Sequence, residues 1–311
     1  MSDDTLHMLK SAVGRHAQAH ANADGLTLTP VPGLRMMHVT VPRGELHSIY
    51  RPLICLILQG TKRLTIGNEM RLVTAGQSVI VSADLPVVGQ IVTARPEAPY
   101  MAIAVELEMS LLREVTAQAG AAPGQRLAAA RTVFTEDTDA HVLGCAARLM
   151  ELLARPEAVP LLRPGLMMEL HYWLLAGRHG AELRALAAPE SHASRLAAAI
   201  AILREAFRER VPVERLARAA GMGVTAFHQH FKRMTSLSPG QFQQRLRLIE
   251  ARRLMLDEGH SATQAAFAVG YESVSQFTRE YGRLFQLSPR RDAVRARAEM
   301  GEDRSAEPLM P

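Results

Sequence analysis

The sequence predicts an α+β chain: an N-terminal β-sandwich or barrel with flanking helices, then an all-α domain with two helix-turn-helix units. Three observations carry this. From Leu34 to about Glu108, short apolar runs alternate with turn residues. From Met109 onward the apolar spacing becomes helical. Near the C-terminus one short helical phrase is written twice. "FHQHFKRMTSLSPGQF" starts at Phe227 and "FTREYGRLFQLSPRRD" at Phe277, fifty residues apart at every matched position.

Residues 1–25 read as a polar helical segment and 26–184 as the β-domain with a helical pair. Runs such as "LICLILQG", "SVIVSADLPV" and "YMAIAVEL" have strand length and composition. Gly67-Asn68 sits between two such runs and reads as a tight hairpin turn. In "DAHVLGCAARLMELLA", Val142, Cys145, Leu149, Leu152 and Leu153 fall on one helical face. A second helix is expected to start near Pro164, with Leu166, Leu170, Trp173 and Leu174 in phase. This pair either caps the barrel or meets its copy in a second chain, and the sequence leaves both open. Residues 185–194 read as a linker centred on Pro189, 195–300 as the all-α domain, and 301–311 as a disordered tail.

Composition narrows the function classes. No run of ~18 apolar residues is present and the start "MSDDTLHMLK" lacks a signal pattern, so a cytoplasmic, nucleoid-associated protein is expected. Cys55 and Cys145 are each flanked by apolar residues and read as small buried hydrophobes, with a redox or electrophile-sensing role for Cys55 as the alternative. Residues 1–191 carry 17 Lys and Arg against 18 Asp and Glu, whereas residues 192–311 carry 19 against 13. The basic excess therefore belongs to the all-α domain, which points to a polyanionic partner there.

The repeated phrase has chemistry as well as periodicity. "VERLARAAG" leads through Gly221 into a helix from Val224, and "SATQAAFAVG" leads through Gly270 into a helix from about Val274. Helix, glycine-containing turn, helix is the helix-turn-helix pattern. Val224, Phe227 and Phe231, and then Val274, Phe277, Tyr281 and Leu284, are expected to face the core. The opposite faces carry Thr225, His228, Gln229 and Lys232 in the first unit and Ser275, Thr278 and Arg279 in the second, with Arg233 and Arg283 at equivalent offsets. Arg and Lys can donate to guanine, Gln can bridge adenine, and Ser or Thr can serve either. Double-stranded DNA is thus the expected partner. The connector from Pro239 to Leu256 would be a helical rod, and its Arg245, Arg247, Arg252 and Arg253 are candidate phosphate contacts, with ordinary solvated helix charges as the alternative for some of them.

Residues 195–297 resemble the DNA-binding domain of the AraC/XylS transcription regulators. The resemblance rests on "VERLARAAGMGVTAFHQHFKRMTSLSPGQF", "RLRLIEARRLML" and "ATQAAFAVGYESVSQFTREYGRLFQLSP". It implies base contacts from Thr225, His228 and Gln229 in the first unit and from Val274, Ser275, Thr278 and Arg279 in the second. Val274 departs from the pattern by being apolar, and Gly282 stands where the first unit has Lys232. On "YRPLICLILQGTKRLTIGNEMRLVTAGQSVIVSADLPVVGQI" and "PYMAIAVELE", residues from about 30 to 180 resemble the N-terminal module of one AraC branch, which implies a cupin-like barrel that binds a small effector or dimerises.

Enzymatic alternatives find little support in the residues. Metal-dependent cupins use a His-x-His pair, but His38 and His47 stand singly among the strands, and the "HQH" of His228–His230 lies on a reading helix. A methyl-transfer enzyme would need a reactive Cys beside basic partners, whereas Cys55 sits among aliphatics. The expectation is a sequence-specific regulator with no catalytic residue, metal or cofactor. Its partners would be DNA, an unidentified small molecule, a second copy of the chain as the alternative role of the helical pair, and RNA polymerase if it activates.

Overall fold

A computed structural model of the protein describes residues 2–22, 24–119, 132–188 and 191–296. The chain divides into two compact units, Met1–Ala21 with Gly25–Ala197, and Asn22–Asp24 with Ala198–Pro311.

The first unit opens with α1 (Ser2–His20) and continues through β1 (Leu26–Leu28), β2 (Leu34–Val39), β3 (Arg43–Tyr50), β4 (Leu53–Gln59), β5 (Thr61–Ile66), β6 (Glu69–Thr74), β7 (Gln77–Val81), β8 (Leu85–Thr93) and β9 (Tyr100–Glu106). Helix α2 (Met109–Ala119), strand β10 (Val133–Asp137) and helices α3 (Ala140–Glu151), α4 (Val159–Ala176) and α5 (Gly180–Ala187) complete it. Two antiparallel sheets form, one ordered β1-β2-β9-β4-β7-β10 and the other β3-β8-β5-β6. The Gly67-Asn68 turn closes a hairpin in which Ile66 faces Glu69.

Alternation along the strands decides what each face meets. Ile54, Leu56 and Leu58 of β4, with Ile103 and Val105 of β9, join one core with Leu9 and Val13 of α1, Leu112 of α2, Leu149 of α3, Leu170 of α4 and Leu183 of α5. The helices therefore cover one face of the six-stranded sheet. The residues between them, Leu53, Cys55 and Ile57, face the second sheet across the sandwich.

Two expectations for this unit are corrected. The stretch after Met109 is not wholly helical, because β10 intervenes and pairs with β7 from Val133↔Val81 to Asp137↔Gln77. The helix expected near Pro164 begins at Val159, with Pro160 in its first turn and Pro164 inside it. Pro160 takes the first-turn position where no N–H is needed.

The second unit contains most of α6 (His192–Glu205), then α7 (Val213–Ala219), α8 (Val224–Thr235), α9 (Pro239–Asp257), α10 (Ala262–Ala268) and α11 (Val274–Phe285), followed by a helical stretch over 289–296. Of the expected linker 185–194, residues 185–187 finish α5 and residues 192–194 begin α6. The expected tail 301–311 lies outside the described residues. At its N-terminal end α9 buries Phe242 against Phe231 of α8, with ring centroids 5.4 Å apart. Towards its C-terminal end Leu248, Ala251, Leu254 and Met255 share a core with Ala265 and Val269, and with Phe277 and Tyr281 of α11. One helix thus anchors both helix-turn-helix units.

Candidate nucleic-acid interface

The two units are built by the same local rules. After α7, Met222 N–H donates to Ala217 O across Gly221, which has φ +61°. After α10, Tyr271 N–H donates to Ala266 O across Gly270, which has φ +84°. This is the glycine-terminated helix end, and it turns the chain sharply into the next helix. At Gly270 nothing larger fits, since a Cβ would lie 1.9 Å from Arg208 O. Ser238 caps α9 and Ser261 caps α10, each in a reciprocal capping box with the Gln three residues on. Helices α8 and α11 end on Ser236 at φ 62° and Gln286 at φ 57°, again fifty residues apart.

This scaffold fixes which faces point outward. Phe227, Phe231, Phe277 and Tyr281 are fully buried. Val274 and Leu284 are partly buried against the same core. Val224 was expected in the core but is 38% exposed, because it begins α8 before the helix reaches its packing partners.

The polar residues singled out on the two outward faces are all on the surface. Thr225, His228, Gln229, Lys232 and Arg233 are exposed along α8, and Ser275, Thr278, Arg279 and Arg283 along α11. The Thr278 hydroxyl donates back to Val274 O at 2.9 Å. Among the described residues, the Gln229, Lys232, Arg233 and Arg279 side chains form no hydrogen bond or ion pair. Helix α8 contains no Asp or Glu, and α11 contains one, Glu280. Glu280 accepts from Tyr271 Oη at 2.6 Å and from Gln276 Nε2 at 3.0 Å. Burial works against its charge, but these hydrogen bonds hold the carboxylate below its ordinary pKa. The acidic group of α11 is thus tied back to the turn.

The arginines of α9 contrast with these surface cations. Arg247 donates to the carbonyls of Phe207 at 2.6 Å and of Arg208, Glu209 and Gly270 at 3.0 Å each, with its guanidinium over the Tyr271 ring. Arg252 pairs with Asp292 at 2.8 Å. Arg253 is held between Glu250 and Glu258, at 2.8 Å from each. Arg245 is partly buried, and burial lowers its pKa. Of the four expected phosphate contacts, Arg247, Arg252 and Arg253 therefore already have partners within the domain. Composition counts basic residues without showing which are already paired. The role of Arg247 in particular was hidden, because its partners are backbone carbonyls 23 to 40 residues away.

Comparison with known proteins follows the same division of the chain. Residues 30–182 match the model of the AraC-type transcriptional regulator N-terminus, and residues 216–293 match a helix-turn-helix domain. The chain belongs to the AraC-type transcriptional regulators. As an AraC-type chain it is 35% identical over 100 residues to the HTH-type transcriptional activator RhaS of Salmonella schwarzengrund (strain CVM19633). That match takes in 30% of this chain and 36% of RhaS, so it spans about a third of the curated relative. The fold extends further than the sequence likeness. ToxT from Vibrio cholerae strain SCE256, solved with an unsaturated fatty acid bound, aligns over 83% of this chain and 92% of its own, with TM-score 0.56 at 8% identity. Another ToxT structure from Vibrio cholerae gives TM-score 0.54 over 84% of this chain and 96% of its own, also at 8% identity. At that identity the likeness is one of fold. Among the described residues, no helix is long and apolar enough to cross a membrane.

Proposed function

We propose that this AraC-type chain binds double-stranded DNA in a sequence-specific way and regulates transcription. In this reading α8 and α11 each enter a major groove. Thr225, His228 and Gln229 read one short stretch, and Val274, Ser275, Thr278 and Arg279 read another, with Val274 placed to touch a thymine methyl. Lys232, Arg233 and Arg283 meet phosphate. The observation that carries the reading is the contrast within one basic domain. Arg247, Arg252 and Arg253 of α9 are satisfied internally, while Lys232, Arg233 and Arg279 of α8 and α11 are exposed without a partner among the described residues. Nineteen residues of α9 at 1.5 Å each give a rod about 29 Å long, which suits successive major grooves about 34 Å apart.

The first unit is assigned a regulatory role, sensing a small molecule, dimerising, or both. Helix α4 supports dimerisation with an outward apolar stripe, Leu161 (81% exposed), Met168 (37%) and Tyr172 (46%), whose spacings of seven and four suit packing against a second copy of the same helix. RhaS is an activator by name. We assign the same sign to this chain, with RNA polymerase as the further partner.

Selection of bound sites from random DNA tests the whole reading. Two conserved short blocks about one helical turn apart are expected, with affinity falling steeply as salt rises. Recovery of no enriched sequence, or binding indifferent to salt, overturns it.

A further inference from the structure

The interior of the sandwich is almost entirely aliphatic, apart from one small cluster. Lys62 of β5 is 6% exposed and shares the inward face with Leu64. It is one of only three lysines in the sequence, with Lys10 and Lys232. Its side chain crosses Gly89 of β8, where a Cβ would come within 2.8 Å of Lys62 Cε. Its Nζ donates to Tyr50 Oη at 2.9 Å, and among the described residues no carboxylate pairs with it. Burial works against the Lys62 charge, while the neighbouring Tyr50 and Cys55 side chains and the Tyr50 hydrogen bond favour it, with the net direction upward. Burial also pushes up the pKa values of Cys55 and Tyr100. The geometry is that of a buried amine with one phenolic partner and no carboxylate beside it among the described residues. An unpaired buried cation is costly unless an anion joins it.

Two further observations show space and a second donor there. Tyr100 is fully buried, yet among the described residues its hydroxyl has no hydrogen-bond partner. Tyr100 lies on the same face of β9 as Ala102 and Ala104, and Ala104 sits opposite Cys55 of β4. Cys55 is surrounded by protein but keeps uncovered surface, as does Ala104, its cross-strand neighbour on β9. Both lie mid-strand in the six-stranded sheet, whose other face is sealed by helices. Their exposure is therefore to room inside the sandwich, with Ala102, Ala104 and Gly89 as the small residues that leave it.

We propose that this interior binds a small, mostly apolar carboxylic acid, with Lys62 and the Tyr100 hydroxyl as donors to its carboxylate and aliphatic strand residues around its body. The assignment rests on reading the first unit as sensory. It names the ligand class and the residues that choose it: the ammonium selects the anion, and the apolar walls reject strongly polar sugars or nucleotides.

The test uses the full chain at neutral pH with octanoate and benzoate, each against its neutral amide. The acids raise Tm and the amides do not, since a ligand of the folded state raises apparent stability. Lys62→Met abolishes the acid response and leaves the chain folded. Tyr100→Phe weakens acid binding about tenfold or more, the usual loss for a hydrogen bond to a charged group. In parallel, the ammonium nitrogen signals of lysine-labelled wild type report Lys62 directly, so the result does not depend on a variant folding. Equal response to acid and amide, a response that survives in Lys62→Met, or a Lys62 signal unmoved by either acid overturns the assignment. DNA binding is measured on the same samples. Retained DNA binding without an acid response removes only the ligand assignment, whereas absent DNA binding removes the regulator reading.

Discussion

Tyr281 donates its phenolic hydrogen to Asp292 Oδ2 at 2.6 Å, at the place where, fifty residues earlier, Phe231 packs edge-on against Phe242. The two helix-turn-helix units thus share a scaffold but close it by different chemistry. The first uses an aromatic pair. The second uses a buried hydrogen bond, with Arg252 donating to the same carboxylate oxygen at 2.8 Å. Asp292 is 5% exposed, so both donors serve one buried carboxylate oxygen.

Tyr281→Phe removes one of those donors and keeps the ring. It is expected to lower the unfolding free energy by about 1.5–3 kcal/mol, the usual cost for a hydrogen bond to a charged group. Phe231→Tyr is expected to destabilise as well, since its new hydroxyl would enter an apolar core. Denaturant titration of both variants checks this, and a neutral Tyr281→Phe would show that Arg252 alone satisfies Asp292.

On DNA, Arg279→Ala should cost ~1–3 kcal/mol on the selected site and relax preference at one position. Lys232→Ala should instead weaken all sequences alike and reduce the salt slope by about one. Titrations at several salt concentrations on the selected and scrambled sites separate the two roles. An Arg279→Ala variant that keeps its base preference would remove Arg279 from base reading.

Arg247→Ala provides the opposite control. This guanidinium joins four carbonyls, so its loss should destabilise the domain by about 2–4 kcal/mol while leaving the salt slope of DNA binding unchanged where the chain is folded. Thermal unfolding read beside the same titrations tests this.

His171 gives a pH signature in the first unit. It is fully buried, its Nδ1 facing Met167 O at 2.6 Å and its Nε2 accepting from Glu108 N–H at 2.9 Å. Burial lowers its pKa, partly offset by the Met167 carbonyl. The unfolded chain therefore takes up a proton near pH 6.5 that the folded chain refuses. Stability from this group is complete above about pH 6.5 and falls as pH drops below it, by at most about 1.4 kcal/mol per pH unit. His171→Leu should flatten that part of a stability-against-pH curve measured by urea unfolding.

For α4, Leu161→Glu with Met168→Glu should leave the fold unchanged and turn a dimer into a monomer. Sedimentation of wild type and variant decides this, and a wild type that is monomeric at high concentration removes the dimer assignment.

The helix-turn-helix elements were legible because their signals are local. Capping serines, terminating glycines and the i, i+3, i+7 aromatics lie within one or two turns of what they determine. Strand β10 was not legible, since a five-residue run such as "VFTED" becomes a strand only when the edge of β7 receives it. Pro164 misled in a similar way, because proline most often marks a helix start and here lies inside one. Among the reading-face residues, sequence spacing identified the exposed positions, apart from Val224. It did not show which arginines were already committed to internal partners. Lys62 left no trace either, because "TKRLTI" gives no sign of which of its two cations turns inward.

Because α9 is rooted in one core through Phe242 and in the other through Leu248 to Met255, it also sets the phase between the two units. A single residue inserted between those anchors would turn one unit by about 100° against the other and advance it by about 1.5 Å. Any change in the length of α9 between its anchors is therefore also a change in the orientation of one helix-turn-helix unit against the other. In the reading proposed above, outward side chains on α8 and α11 can be exchanged without disturbing this phase, whereas an insertion within α9 cannot.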